Sequence, residues 1–188
     1  MTDRRAELLD GATAWVIEHG LSTLSLRPVA KALGTSDRML IYWFGSRDGL
    51  LAAIAEHAGE GLSLAMPTVD PAAPPLTPRA WLDQCWGLFS DPVVRPGLAL
   101  LFELDALGAR SPGPARDAAR RTADRWIEVV DGALAALGVP AGGRPAVTRV
   151  VAGAMVGLIL DDLVGDPGPR PDPELDLLAE VIENTRGG

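Results

Sequence analysis

A chain of 188 residues, 47% of them hydrophobic, can bury one sizeable core or a small domain beside a larger one, and it is too apolar to be disordered. One cysteine, Cys85, excludes an internal disulfide; the longest uncharged apolar run, residues 150–160, falls short of the roughly 20 needed to cross a bilayer; and the N-terminus lacks the basic-then-apolar pattern of a secretory signal. A cytoplasmic protein without a membrane partner is expected, and although the formal charge of −8 argues against nucleic acid, residues 1–50 hold six basic and six acidic side chains, so the deficit lies downstream.

In chain order the sequence reads as helices separated by Pro/Gly breaks, with no period-2 strand and no repeat, which makes the fold class all-α. The first helix covers about residues 3–19, with Leu8, Leu9, Ala12 and Val16 as its inner stripe and Gly20 as its stop. Leu26, Val29, Ala30 and Leu33 then recur at i, i+3, i+4, i+7, so a short second helix is expected, with Ser25 as cap and Pro28 in its first turn. Gly34 ends it. Thr35 and Ser36 can cap a third helix, in which Leu40 and Phe44 face inward one turn apart and Asp37, Arg38, Ile41, Tyr42 and Trp43 face outward. Two short helices joined by a glycine turn form a helix-turn-helix pattern. An outward face of arginine, hydroxyl and large aromatic groups suits a major-groove reader, with donors for guanine edges and phosphates and flat apolar groups for thymine methyls.

Residues 34–51, GTSDRMLIYWFGSRDGLL, resemble the recognition helix and following helix of the tetracycline-repressor (TetR) family, whose pattern is roughly Gly-x-Ser-x-x-x-Leu-Tyr-x-His-Phe-x-x-Lys-x-x-Leu. Residues 5–12 and 18–20 are similar to the family's first helix and its terminating glycine, so the resemblance covers residues 4 to about 55. Three positions depart from the pattern. Ile41 stands where a tyrosine is frequent, Trp43 where a histidine is, and Arg47 where a lysine is, the last keeping the phosphate charge and adding a planar fork. The resemblance implies an N-terminal three-helix helix-turn-helix DNA-binding domain, residues 1–46, and a larger helical effector-binding and dimerisation domain, residues 47–188. DNA-contacting candidates are Arg27, Ser36, Asp37, Arg38, Ile41, Tyr42, Trp43 and Arg47: Arg27 and Arg47, with Arg4 or Arg5, for phosphates, and Arg38, Tyr42 and Trp43 for bases. Asp37 either accepts from a cytosine amino group or pairs with Arg38, and the pairing is the favoured alternative.

Ser46 caps a fourth helix carrying Leu50, Leu51, Ile54 and Ala58, which in the resembled family joins the two domains and transmits ligand state as a pendulum. The proline-dense stretch 66–78 marks a border. Thr77 and Pro78 restart a helix bearing Trp81, Leu82, Cys85, Trp86 and Phe89; a sixth follows over about 96–107 with Leu98, Leu101, Phe102, Glu103 and Asp105. A seventh, residues 115–137, is amphipathic, its arginine-rich side reading as a solvated face. The resemblance implies a cavity among helices five to eight for a small apolar or amphipathic effector, with Trp81, Cys85, Trp86, Phe89, Phe102, Glu103, Trp126 and Met155 as lining candidates. Each taken singly reads more readily as ordinary core than as lining, and Glu103 and Asp105 either orient a ligand or meet an arginine.

The eighth helix, about 145–164, is apolar nearly all round and therefore needs cover on both sides; the ninth, about 173–185, has apolar residues on two faces. A homodimer interface there is expected, through Val151, Gly153, Gly157, Leu158, Leu177 and Val181, with a central core helix as the alternative. Two reading helices related by a two-fold axis match an inverted-repeat operator in double-stranded DNA. The combined expectation is a ligand-responsive regulator, a repressor released by a small molecule, with no metal and no cofactor. An enzyme is disfavoured by the isolated His19 and His57 and by the lack of a metal-spaced cluster or phosphate loop. A dimeric helical adaptor that has lost specific DNA binding is the remaining alternative.

Overall fold

In a computed structural model, described for residues 4–69, 76–110, 112–165 and 170–187, the chain forms nine helices and no strand among the described residues: α1 (Arg4–His19), α2 (Leu26–Ala32), α3 (Asp37–Phe44), α4 (Arg47–Ala65), α5 (Pro78–Phe89), α6 (Arg95–Arg110), α7 (Pro114–Ala136), α8 (Arg144–Val164) and α9 (Asp172–Arg186). A 3-10 turn, Leu21–Thr23, joins α1 to α2. The all-α class is as the sequence implies.

Local chemistry explains the boundaries. The Ser36 hydroxyl accepts from the Met39 N–H at 3.3 Å and Thr77 from Ala80 at 3.1 Å, so both act as N-caps, the latter with Pro78 in the first helical position. Ser25 makes no such bond, and one of the two N–H groups that an N-cap can satisfy is missing because Pro28 holds the third helical position. Between α2 and α3, Gly34 sits at φ 61°, the Thr35 N–H reaches Ala30 O at 2.9 Å and the Gly34 N–H reaches Lys31 O at 3.3 Å. This paired bonding closes the α2 carbonyls and requires a left-handed residue, which only glycine adopts without strain. It sets the sharp turn that aims α3.

The chain divides into two compact units, residues 1–62 with 96–123, and residues 63–95 with 124–188. The first is built on one apolar cluster: Leu8, Leu9, Ala12 and Val16 of α1, Leu21 and Leu24, Val29 and Ala30 of α2, Leu40 and Phe44 of α3, and residues 50–55 of α4, joined by Leu100 and Leu104 of α6 and Ala118 of α7. On α6 the inward residues are therefore Leu100 and Leu104, while Leu101 and Phe102 are half-buried and Asp105 exposed, one step from the stripe the sequence suggested. Gly59 of α4 closes against Thr122 of α7, where an added Cβ would lie 2.6 Å from Cγ2 of the threonine. Beside that contact Arg121 pairs with Glu56.

In the second unit α9 packs on α5 and α8. Its interior holds Trp81, Leu82, Cys85, Trp86 and Phe89 from α5, Val130 and Leu134 from α7, Val147, Val151, Ala152, Met155 and Ile159 from α8, and Leu175, Leu178 and Ile182 from α9. At the N-terminal ends of α5 and α9, Arg79 pairs with Asp83, Asp172 and Asp176, and Arg170 with Asp83 and Asp172. The Arg144 guanidinium meets Asp131 at 3.1 Å, and the buried Thr148 hydroxyl donates to the same carboxylate.

One interface expectation is corrected. Val151 is fully buried within its own unit, so it is core. The uncovered side of α8 instead presents Val150, Gly153, Gly157, Leu160 and Val164, spaced alternately three and four residues apart, with Val150 54% and Val164 76% exposed. On α9, Leu177 is 61% exposed and Val181 half-buried.

Candidate nucleic-acid interface

The first unit presents α3 with its apolar side, Leu40 and Phe44, inserted in the core. Residues at i, i+1, i+4, i+5 fall on the opposite side of an α-helix, and here they are Asp37, Arg38, Ile41 and Tyr42, all exposed, with Tyr42 at 73%. A basic fork, an aliphatic group and a phenol thus share one open face. Ser36 lies at its N-terminal edge, with its hydroxyl engaged in the cap. On α2, Arg27 and Lys31 are exposed one turn apart, which adds a cation that the sequence reading missed; the i, i+4 spacing from Arg27 was its signal.

Three details differ from expectation. Trp43 does not share the open face: it is half-buried against the core, edge-on to Tyr42 at 5.1 Å, with its indole N–H buried and without a partner. Its apolar bulk wins over its position next to Tyr42, because the side of α3 it occupies borders the Leu40–Phe44 stripe. Asp37 does not pair with the Arg38 guanidinium; its carboxylate accepts the backbone N–H of Arg38 at 3.1 Å, a local bond at the positive end of the helix, leaving the arginine side chain outside that contact. Arg47 is drawn inward in part: its Nε donates to Leu24 O at 2.8 Å and one terminal nitrogen lies 3.3 Å from Asp48. Arg5 stands over the Phe44 ring at 5.2 Å, and Arg4 pairs with Glu7 at 3.0 Å.

Charge is divided between the units. The first holds ten basic and eleven acidic residues and the second seven and fourteen, so the net −8 belongs almost wholly to the second. A near-neutral unit with its cations on α2 and α3 is compatible with a polyanion.

The eight effector-lining candidates do not fall in one unit. Trp81, Cys85, Trp86, Phe89, Trp126 and Met155 belong to the second, where Phe89 meets Trp126 edge-on at 5.9 Å and the Trp126 N–H donates to Ala152 O at 3.4 Å. Phe102 and Glu103 belong to the first. Glu103 is exposed; its carboxylate accepts the Leu21 backbone N–H at 3.3 Å and lines a cleft of about 340 Å³ with Leu21, Ser22, Arg47, Ala106, Leu107 and Arg110. Among the described residues no arginine pairs with Asp105; although the residue is exposed as a whole, desolvation by the groups around its carboxyl raises its pKa above the ordinary value. Two clefts of the second unit, of about 330 and 380 Å³, share Glu128 and Gly132 of α7 and are lined by none of the eight candidates. Among the described residues no three metal-ligating side chains converge and no helix is long and apolar enough to cross a membrane.

A short pair of helices joined by a glycine turn, the second offering a basic and aromatic face to solvent, defines a helix-turn-helix DNA-binding protein. The family model of bacterial regulatory proteins, tetR family, matches residues 8–59, the span from α1 into α4. By that match the N-terminal segment of the chain is of the TetR type. Over its whole length it is similar in fold to a protein described as a TetR-family transcriptional regulator from Rhodococcus sp. (20% identity, 99% of this chain and 100% of that chain covered, TM-score 0.74). It is also similar to the multidrug binding protein EbrR, solved with proflavin (25% identity, 95% and 99% covered, TM-score 0.71) and with ethidium (26% identity, 95% and 98% covered, TM-score 0.72). No curated protein gives a significant match.

Proposed function

We propose that this regulator is a cytoplasmic homodimeric repressor that reads an inverted repeat and leaves it when a small molecule binds. The observation that carries the reading is the open face of α3, on which Arg38, Ile41 and Tyr42 stand clear of the core on a helix aimed by the Gly34 turn. In this reading Arg38 reads a guanine edge, Ile41 and Tyr42 meet thymine methyls or sugars, and Arg27, Lys31 and the free part of the Arg47 fork meet phosphates. Ser36 and Asp37 keep the N-terminal end of α3 in place beside the backbone, and Trp43 supports Tyr42 from behind. Residues 1–46, with Arg47 at the start of α4, carry the DNA contacts, and the rest of residues 47–188 the effector and dimer functions.

The dimer forms through the uncovered side of α8, with Gly153 and Gly157 allowing close approach, Leu158 at its edge, and Leu177 and Val181 of α9 beside it. The three-four spacing of the exposed apolar residues, which forms a seam between paired helices, supports this. Two copies of α3 would enter successive major grooves about 34–36 Å apart.

For the effector, the aromatic interior formed by Trp81, Trp86, Phe89 and Trp126, with Cys85 and Met155, in a unit of net negative charge suits a flat apolar or cationic amphipathic molecule, through ring stacking and cation–π attraction. Proflavin and ethidium, bound by EbrR, are of that kind. Phe102 and Glu103 belong to the first unit and are not part of this site, and Glu103 has a different task.

The test is a fluorescence titration of labelled duplex from upstream of the protein's own gene, at low and moderate salt, with and without ethidium. Saturable, sequence-dependent binding that falls steeply with salt and is relieved by a flat cation supports the reading. Equal, weak binding to every duplex overturns it in favour of a helical adaptor, a reading that the acidic second unit favours.

A further inference from the structure

The turn between α1 and α2 is the entrance to the DNA-reading pair, and its backbone is held from two sides. Gly20, at φ 82°, precedes the turn and has no side chain, so the first N–H of the turn, that of Leu21, has no local cap. Leu21 is buried, 7% exposed, and a buried amide needs an acceptor. The acceptor comes from 82 residues away: Glu103 on α6, at 3.3 Å. Three residues on, the Leu24 carbonyl is taken by Nε of Arg47 at 2.8 Å, a charge-assisted bond from the first residue of α4. A carboxylate grips one end of the turn and a guanidinium the other, and both line the same 340 Å³ cleft. The turn leads directly into α2, which bears Arg27 and Lys31 and packs on α3.

Resting on the assignment of α2 and α3 to DNA binding, we propose that Glu103 is a positioning residue for operator binding: as the distant cap of the Leu21 N–H, it lets α6 set the pose of the reading pair, with Arg47 as the second arm of the clamp. Glu103 touches no DNA in this role. Its effect passes through the Leu21 amide, and α6 becomes part of the DNA-binding unit. The clamp is one hydrogen bond per side, so the pose is held without being locked, and anything that displaces the Glu103 carboxylate from the turn weakens operator binding.

The experiment compares full-length wild type, Glu103→Ala and Glu103→Gln. Hydrogen exchange of the Leu21 amide is read against that of neighbouring Ser22 in the free protein, and affinity is read for the wild-type duplex. The alanine variant should accelerate exchange at Leu21 and weaken operator binding roughly tenfold with melting temperature little changed, while the glutamine variant, whose amide oxygen still accepts, should retain most of both. Wild-type Leu21 exchanging as fast as Ser22, an alanine variant with undiminished affinity, or a glutamine variant as weak as alanine would each overturn the clamp. Should Glu103→Ala not fold, the wild-type exchange comparison and the glutamine variant decide alone. If wild type binds no duplex, the DNA-binding assignment fails, while the exchange comparison still tests the hydrogen bond.

Discussion

At the scale of single residues, chemistry follows surroundings more than sequence neighbours. Burial pushes the Cys85 thiol up to about 12, so at neutral pH it carries no thiolate and cannot act as a nucleophile or redox sensor. Iodoacetamide should leave it unmodified in the native protein at pH 8 and alkylate it fully in denaturant; native modification at the unfolded rate would contradict the packing of α5. Asp105 is shifted in the same direction for the same reason. With its folded pKa above 3.8, the native state holds the proton longer than the unfolded one, so this group favours the fold at low pH and costs stability as pH rises through the carboxylate range. Asp105→Asn should raise unfolding stability at pH 7, by well under about 1 kcal/mol because the residue is exposed enough for solvent to screen much of the shift, and the gain should disappear near pH 3. The DNA face separates two arginines. Arg38→Ala should relax base preference, costing about 1–3 kcal/mol at the preferred site and little elsewhere. Arg47→Ala should weaken all duplexes alike and also loosen the turn at Leu24, because its Nε is committed there. Arg38 was legible from its place in the motif. The inward draw of Arg47 and the half-burial of Trp43 were not, since both depend on groups that only the fold brings close: a carbonyl 23 residues away and a core edge.

Among the elements, the periodic stripes of α1, α2, α3 and α5 were readable because each faces one core with a single spacing, whereas α4 buries residues 50–55 in an unbroken run that its expected stripe only partly describes. The inward stripe of α6 was misread by a step because Leu100 and Leu104 serve the first unit's core, a long-range demand invisible in a window of sixteen residues. The tie of Glu103 to the turn was hidden for the same reason: nothing local announces that Gly20 leaves an amide uncapped 82 positions earlier. The contact of α4 with α7 offers a test of packing against propensity. In an isolated helix, alanine in place of Gly59 would stabilise by about 1 kcal/mol. Here its Cβ would meet Thr122 Cγ2 at 2.6 Å and Oγ1 at 3.1 Å, an overlap whose cost of about 1–3 kcal/mol should win. Gly59→Ala should lower the melting temperature, and the same change made in a Thr122→Ala background, where both crowding atoms are gone, should raise it. A double-mutant cycle with no coupling would place the two helices further apart than described.

For the whole molecule, the question left by a single chain is what covers α8. Its exposed residues Val150, Gly153, Gly157, Leu160 and Val164 form one stripe, and an apolar stripe of this kind is rarely left facing water. Sequence alone marked the helix as apolar all round but could not say which side its own unit uses; the burial of Val151, Ala152, Met155 and Ile159 identifies that side and leaves the other uncovered, the side proposed above for a second copy. Two substitutions that look equivalent on paper should therefore behave differently. Val151→Glu places a charge in a fully buried position and should unfold the second unit, seen as lost helical circular dichroism at ambient temperature. Leu160→Glu, 42% exposed in the single chain, should keep the helical spectrum but elute as a monomer on sizing. That monomer keeps its α3 face, so it should still bind one half-site. Without the linked second head, its affinity for the full inverted repeat should fall by more than about 100-fold, and the salt dependence of binding should drop to about half, because half the phosphate contacts are lost. A Leu160→Glu protein that remains dimeric would move the interface off this stripe, and one that is monomeric yet binds the full repeat as tightly as wild type would remove the dimer from the mechanism of recognition.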